Sequence, residues 1–243
     1  MTYCVGLKLN RGLVFMSDTR TNAGVDNVSR FRKLFTWQVP GERTLMMMTA
    51  GNLATTQSVV SLLEERTKAP SERRPSILEM PTMFQIARYV GETLREVIQS
   101  NSPTGQKADS AFNSTIILGG QVKGMEPRLF LIYPEGNFIE ASDDTPFFQI
   151  GETKYGRPIL VRAYNPAMSF EDAAKLLMVS FDSTIKANLS VGLPLDLQVV
   201  EKDALRLGLS KRIEGEDPYY QTISNGWGEA LKKAFDSLPG FSF

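Results

Sequence analysis

Thr2-Tyr3-Cys4-Val5-Gly6-Leu7-Lys8-Leu9, followed by Asn10-Arg11-Gly12 and then Leu13-Val14-Phe15-Met16-Ser17-Asp18, decides the fold of this chain. The first stretch alternates and is rich in β-formers, which predicts a strand. Asn10-Arg11-Gly12 carries turn chemistry. Leu13 to Ser17 returns as a second strand and ends on a carboxylate, Asp18. A hairpin of this kind opens an antiparallel sheet, and it does so at the second residue of the chain.

Thr19 to Ser29 is polar, carries Gly24 and reads as a short extended segment and a loop. Phe31 to Val39 reads as a third strand with Lys33 near its start. Pro40-Gly41-Glu42 turns, and Arg43 to Thr49 runs back as a nearly continuous apolar stretch, which suits a strand covered on both faces. Ala50-Gly51-Asn52 ends it. A helix is expected from Leu53 to Lys68, with Val59, Val60, Leu62 and Leu63 as its apolar stripe. Ala69 to Arg74 reads as a loop. A second helix is expected to start near Pro81, a residue suited to a first helical position. It would run over Thr82–Ser100, with Phe84, Ile86, Ala87, Val90, Leu94, Val97 and Ile98 at helical spacing. Asn101 to Asp109 is a polar loop.

Four more strands are expected at Asn113–Gly119, Arg128–Tyr133, Asn137–Ala141 and Phe147–Gly151, separated by turn signals. A helix is expected to begin around Thr153. Ser169-Phe170-Glu171-Asp172 resembles a capped helix entry, with acids in the first turn, and that helix should reach Ala187. Leu195–Glu201 reads as a strand and Tyr219–Leu238 as a last helix. Hairpin-linked strands argue for antiparallel sheets, and helices grouped in pairs must cover sheet faces. The expectation is an α+β fold, a four-layer αββα sandwich of two antiparallel sheets with helices outside, built as one domain over residues 1–243.

Bulk composition narrows the function. Lys+Arg and Asp+Glu are equal at 27 each, so nothing points to nucleic acid or an anionic membrane. No apolar run approaches the ~18 residues of a transmembrane helix, and no basic-then-apolar leader suggests secretion. The single cysteine, Cys4, cannot make an internal disulfide and fits a cytoplasmic protein. The absence of histidine is more informative. It excludes Ser-His-Asp and Cys-His machinery and removes the commonest zinc ligand. A hydrolase built from this chain must take its base from a lysine, a carboxylate or an α-amine.

Thr2 supplies such a base if Met1 is removed. A free α-amine has an ordinary pKa of about 7.7–8.0 and can accept the proton of the same residue's hydroxyl, directly or through one water. Lys33 would favour the developing alkoxide and disfavour protonation of the amine. A partly buried lysine needs an anion, and Asp18 can supply one. The Gly51 N–H, at the entrance to the Leu53 helix, could donate to an oxyanion. Taken singly, each residue has a plainer reading: a strand threonine, a turn aspartate, a surface lysine, a turn glycine.

Together, Thr2, Asp18 in Ser-Asp-Thr-Arg-Thr-Asn, Lys33 in Phe-Arg-Lys-Leu-Phe and Thr49-Ala50-Gly51 resemble the catalytic β subunits of the proteasome, among the N-terminal-nucleophile hydrolases. The segment Ser17–Gly24, Asn188-Leu189-Ser190-Val191-Gly192 and a threonine directly after Met1 are similar to the bacterial ancestral β-subunit (Anbu) branch. The resemblance implies the αββα fold, threonine-dependent hydrolysis of peptide bonds, no cofactor and no metal, and a cytoplasmic homo-oligomer acting on peptide or protein substrates. By matched position, Thr2 would be nucleophile and base, tuned by Asp18 and Lys33, with Gly51 holding the oxyanion. Thr21, Asn22 and the Gly51–Leu53 region would bind substrate as an added strand, and Thr49 would line the specificity pocket. Asn188 and Ser190 would be supporting residues.

The pattern departs from the family in three places, one being that the aspartate usual upstream of the second supporting serine, matched by Ser190, has no clear counterpart, Asn188 lying nearest. The interval from Asp18 to Lys33 is one residue shorter than in classical proteasome subunits, and Gly151-Glu152-Thr153 stands where they have Gly-Ser-Gly. Two other readings stay open at this point: an amidase of the same chemistry acting on small amides, and a scaffold that assembles without cleaving. Nothing in the sequence identifies an unfolding ATPase, and the chain has no nucleotide-binding glycine loop of its own.

Overall fold

A computed structural model describes residues 2–22, 28–68, 75–101 and 110–242. Met1, Gly24, the expected loop at 69–74 and most of that at 101–109 lie outside the described residues. The opening hairpin is β1 (Tyr3–Leu9) and β2 (Gly12–Asp18). Next come β3 (Arg20–Asn22) and β4 (Val28–Arg30), which pair with each other, then β5 (Leu34–Val39) and β6 (Arg43–Gly51). Helices α1 (Leu53–Lys68) and α2 (Met83–Asn101) follow. Strands β7 (Ser114–Val122), β8 (Arg128–Ile132), β9 (Phe138–Glu140) and β10 (Phe147–Gly151) come next, then α3 (Arg157–Ala163) and α4 (Phe170–Ala187). The order ends with β11 (Leu195–Glu201), β12 (Ser210–Ile213) and α5 (Pro218–Asp236).

The strands form two five-stranded antiparallel sheets, β10-β1-β2-β11-β12 and β5-β6-β7-β8-β9. Period-two alternation sorts their side chains into three apolar layers. Tyr3, Val5, Leu7, Val14 and Met16 face α3, α4 and α5. Cys4, Leu13 and Phe15 face the other way, onto Met46, Met48, Ile117 and Leu129 of the second sheet. Leu45, Met47, Ile116 and Leu118 then pack under α1 and α2. The sequence of layers is helix, sheet, sheet, helix, as expected from the hairpins and paired helices. Every residue of Arg43–Ala50 is buried, which accounts for the unbroken apolar run in β6.

Several boundaries differ from the sequence reading. The α2 helix starts at Met83, and Thr82 caps it by accepting from the Gln85 N–H at 3.2 Å, so Pro81 lies outside. The α3 helix starts at Arg157 rather than near Thr153. Gly156 precedes it because a Cβ there would fall 2.2 Å from the Tyr3 hydroxyl and 2.3 Å from Ser180 Oγ. Strand β7 continues three residues past Gly119. A Cβ on Gly119 would lie 2.6 Å from Phe15 Cζ, and one on Gly120 would lie 2.2 Å from Thr44 O, so these glycines mark close packing rather than a turn. Strands β3, β4 and β12 were not expected as such. The Ser169 cap is found as expected: its Oγ accepts from the Asp172 N–H at 3.0 Å and opens α4.

The Tyr3 hydroxyl sits where β1 meets α4. It is 2.8 Å from Ser180 Oγ and accepts from Gln149 Nε2 at 2.6 Å. Burial pushes its phenol up to about 12 from an ordinary 10.0. Because the folded state holds this proton more tightly, the stabilisation is intact below pH 10 and is lost as pH rises through 12. That amounts to about 3 kcal/mol. Tyr3→Phe should lose about 1 kcal/mol at pH 7 from the broken hydrogen bonds, and urea melts should show the gap to wild type closing or reversing by pH 12. A gap independent of pH would contradict the assignment.

Candidate active site

Three chain segments meet at the start of β1. Asp18, at the end of β2, is fully buried and points its carboxylate at the backbone of β1: Oδ1 accepts from the Tyr3 N–H at 3.0 Å. Oδ2 accepts from the Gly192 N–H at 3.4 Å. Lys33 comes in from the segment just before β5, not from within the strand as expected. Its carbonyl accepts from the Thr49 N–H at 3.1 Å, which extends the β5–β6 ladder by one residue. Its Nζ donates to Asp18 Oδ1 at 2.7 Å and to Arg20 O at 2.5 Å. Both side chains are nearly inaccessible, so the pair is a buried one.

Burial drives the Asp18 carboxyl above its usual range; the Lys33 ammonium and the two N–H donors pull the other way. Such a pair contributes little net stability, but removing one partner strands the other charge. Cys4 is no rival nucleophile. Burial, with the Asp18 charge adding to it, pushes its thiol well above the ordinary value.

Thr2 is buried, at 8 % exposure, and its carbonyl accepts from the Glu152 N–H at 2.7 Å. Gly151 closes over it with φ +84°, and a Cβ there would sit 1.9 Å from Thr2 O. Only glycine allows β10 to approach Thr2 so closely. Gly51 likewise holds φ +125°, and a Cβ would meet Asn113 O at 2.3 Å.

Thr2, Lys33, Thr21, Thr49, Gly51 and Leu53 line one cavity of about 500 Å³, together with Arg32, Ala50, Thr56 and Gly151. Asp18 stands behind Lys33. Asn22 belongs to β3, and its side chain lies outside the described residues. Asn188 and Ser190 are not on this wall. Asn188 Nδ2 donates to Glu152 Oε2 at 2.9 Å, and Asn188 Oδ1 accepts from the Ser190 N–H at 2.9 Å. Arg32, Thr56 and the Gly192 N–H were not anticipated, since only the folded arrangement brings them to Thr2 and Asp18.

A roomier groove of about 690 Å³ lies between α4 and α5, lined by Leu176, Ile223, Trp227 and Leu231. Its surface is mainly apolar, with Arg162, Asp172, Lys175 and Thr222 also on the lining, and it lies apart from Thr2, Asp18 and Lys33. Among the described residues, no cluster of His, Cys, Asp or Glu could hold a metal ion, and no helix is long and apolar enough to cross a membrane.

Comparison with known proteins identifies the family. Residues 2–200 match the proteasome subunit family. A proteasome subunit beta 2 of Pyrobaculum calidifontis is 24 % identical over 206 residues, spanning 83 % of this chain and 90 % of that protein. Among solved structures, Anbu (ancestral beta-subunit) from Yersinia bercovieri superposes with a TM-score of 0.93 at 48 % identity, covering 99 % of both chains. The Anbu complex from Pseudomonas aeruginosa, described as a helical assembly, gives 0.92 at 44 % identity over 99 % of this chain and 98 % of that one. The chain therefore belongs to the proteasome subunit family and is similar over its whole length to the Anbu ancestral β-subunits.

Proposed function

We propose that this protein is a threonine-type peptidase whose nucleophile and base both belong to Thr2, freed by removal of Met1. The observation that carries the proposal is the buried Lys33–Asp18 pair, 2.7 Å apart, with Lys33 lining the same cavity as Thr2. The cavity volume is within the range of small-ligand and short-peptide sites, about 300–1,000 Å³.

In this mechanism the neutral α-amine takes the proton of the Thr2 hydroxyl as Oγ attacks the substrate carbonyl. The Gly51 N–H stabilises the oxyanion, and the Lys33 ammonium favours the alkoxide. The α-ammonium then protonates the departing amine, leaving a threonyl ester. Water, deprotonated by the same amine, attacks the ester. The carboxylic acid product leaves, and the hydroxyl and amine return to their starting state. Substrate would lie as an added strand between Thr21 and the Thr49–Gly51 end of β6.

The Anbu complex described as a helical assembly supports self-association here, and a cytoplasmic location is part of the same proposal. Leu231, Phe235 and Leu238, on and just beyond α5, are half or more exposed and offer apolar surface for it. Sedimentation at micromolar concentration should report an oligomer, and a monomer would contradict this part of the proposal. The activity is tested by intact-mass analysis beside turnover of short peptide amides. Hydrolysis should track the fraction of chains that begin at Thr2. Equal turnover by chains that all retain Met1 would overturn the reading.

A further inference from the structure

Glu152 occupies an unusual place for an acid. In the β1–β10 ladder Tyr3 lies opposite Gly151 and Cys4 opposite Ile150. The Glu152 N–H bond to Thr2 O carries the pairing one step further, so Glu152 lies opposite Thr2. The Glu152 N–H bond therefore brings the two backbones together at Thr2, while Gly151, at φ +84°, turns the chain at that step, so the Glu152 side chain is placed by its own hydrogen bonds rather than by the strand period. Glu152 is only 8 % exposed. Its carboxylate accepts from Asn188 Nδ2 at 2.9 Å and from the Lys154 N–H at 3.4 Å. Both donors are neutral. The Ser190 N–H holds Asn188 Oδ1 at 2.9 Å, which aims the amide's donor end at Glu152. Among the described residues Glu152 enters no ion pair.

We propose that Glu152 is the positioning residue of the Thr2 α-amine, its carboxylate taking an ion pair from the α-ammonium that removal of Met1 creates. This rests on the threonine-peptidase reading. The charged groups around that amine then divide. Lys33, neutralised in part by Asp18, disfavours a protonated amine, and Arg32 on the cavity wall acts in the same sense. Arg20 is turned away, donating to Leu189 O at 2.8 Å. Asp18 favours the protonated amine but is paired with Lys33, so Glu152 is the acid, among the described residues around the amine, that favours it without a cation of its own. Glu152 therefore orients the amine beside the hydroxyl and also delays its release as a base, so hydrolysis switches on at a higher pH than it would with a neutral side chain.

The test uses the full chain beginning at Thr2. The pH dependence of α-amine acylation by a small amine-reactive reagent is followed by peptide mass mapping, which needs no hydrolytic activity. Glu152→Gln and Glu152→Ser should each lower the pH midpoint of amine reactivity by about one unit, and the acid limb of peptide hydrolysis should move down with it. A purely structural role would lower the melting temperature and leave the amine's midpoint in place; an unmoved midpoint in either folded variant overturns the proposal. A midpoint that moves in a protein whose Thr2→Ala variant still hydrolyses peptides would uphold the ion pair and sink the peptidase reading instead, so the two failures are distinguishable.

Discussion

Thr2→Ala should reduce peptide hydrolysis by at least about 10⁴-fold, as loss of a covalent nucleophile does in other hydrolases, while changing stability by less than about 1 kcal/mol. The two effects separate because the fold holds Thr2 through its backbone. The Glu152 N–H bonds to Thr2 O, and the next N–H, that of Tyr3, bonds to Asp18. None of these groups changes in the variant. Alanine at position 2 still offers an α-amine once Met1 is removed, so the base survives and only the hydroxyl is lost. Thr2→Ser restores the hydroxyl and should recover turnover to within about tenfold of wild type. Steady-state kinetics on one peptide amide, beside thermal melts of all three proteins, measures both quantities. Unchanged turnover in Thr2→Ala would remove the assigned nucleophile.

Lys33→Met is the second large effect, and it differs in kind. It should lower turnover by about 100-fold or more, since a cation aimed at developing negative charge is lost, and should also destabilise the fold by about 3–5 kcal/mol. The reason is Asp18, whose carboxylate is fully buried and keeps, among the described residues, only the Tyr3 and Gly192 N–H groups as partners. Burial already raises this carboxyl, with Lys33 the main opposing influence, so deleting Lys33 raises it further. A carboxyl raised in the folded state is favoured protonated, so the variant's deficit should be small near pH 4 and widen as pH rises through the folded value. Asp18→Asn with Lys33→Met removes both charges. This double variant should regain most of the lost stability and none of the activity. Urea titrations of the single and double variants at pH 4 and pH 8 check each part; a deficit that narrows toward pH 8 would contradict the role given to Asp18.

Much of the sandwich could be read before the structure. Ser169 with acids behind it marks the start of α4, and the stripe through Val59, Val60 and Leu63 gives α1 its bounds. What escaped has physical causes. Three of the four residues of β12, Ser210, Lys211 and Arg212, are polar and exposed, as suits a sheet edge, and offer no alternation to detect. Arg20-Thr21-Asn22 is too short and polar to announce β3. The expected strand ended at Gly119, although Gly119 and Gly120 continue it, packed closely on Phe15 of the facing sheet and on Thr44 of the neighbouring strand.

The site divides in the same way. A chain without histidine directs attention to the α-amine, lysines and carboxylates, and the family resemblance singles out Thr2, Asp18 and Lys33 among them. Glu152 reads in sequence only as an intruding acid. Its place opposite Thr2 follows from the register of β1 on β10, and its partner Asn188 lies 36 residues away. Arg32 and Thr56 join the cavity for the same reason: strand pairing and the entry of α1, not local sequence, bring them there.

The most direct measurement is covalent labelling with a hydroxyl-reactive, threonine-directed electrophile, followed by peptide mapping of chains with and without Met1. A single adduct on Thr2, confined to chains that lack Met1, is the expected result. An adduct on Cys4 or another residue, or none on chains that begin at Thr2, would contradict the claim that this residue is the enzyme's nucleophile.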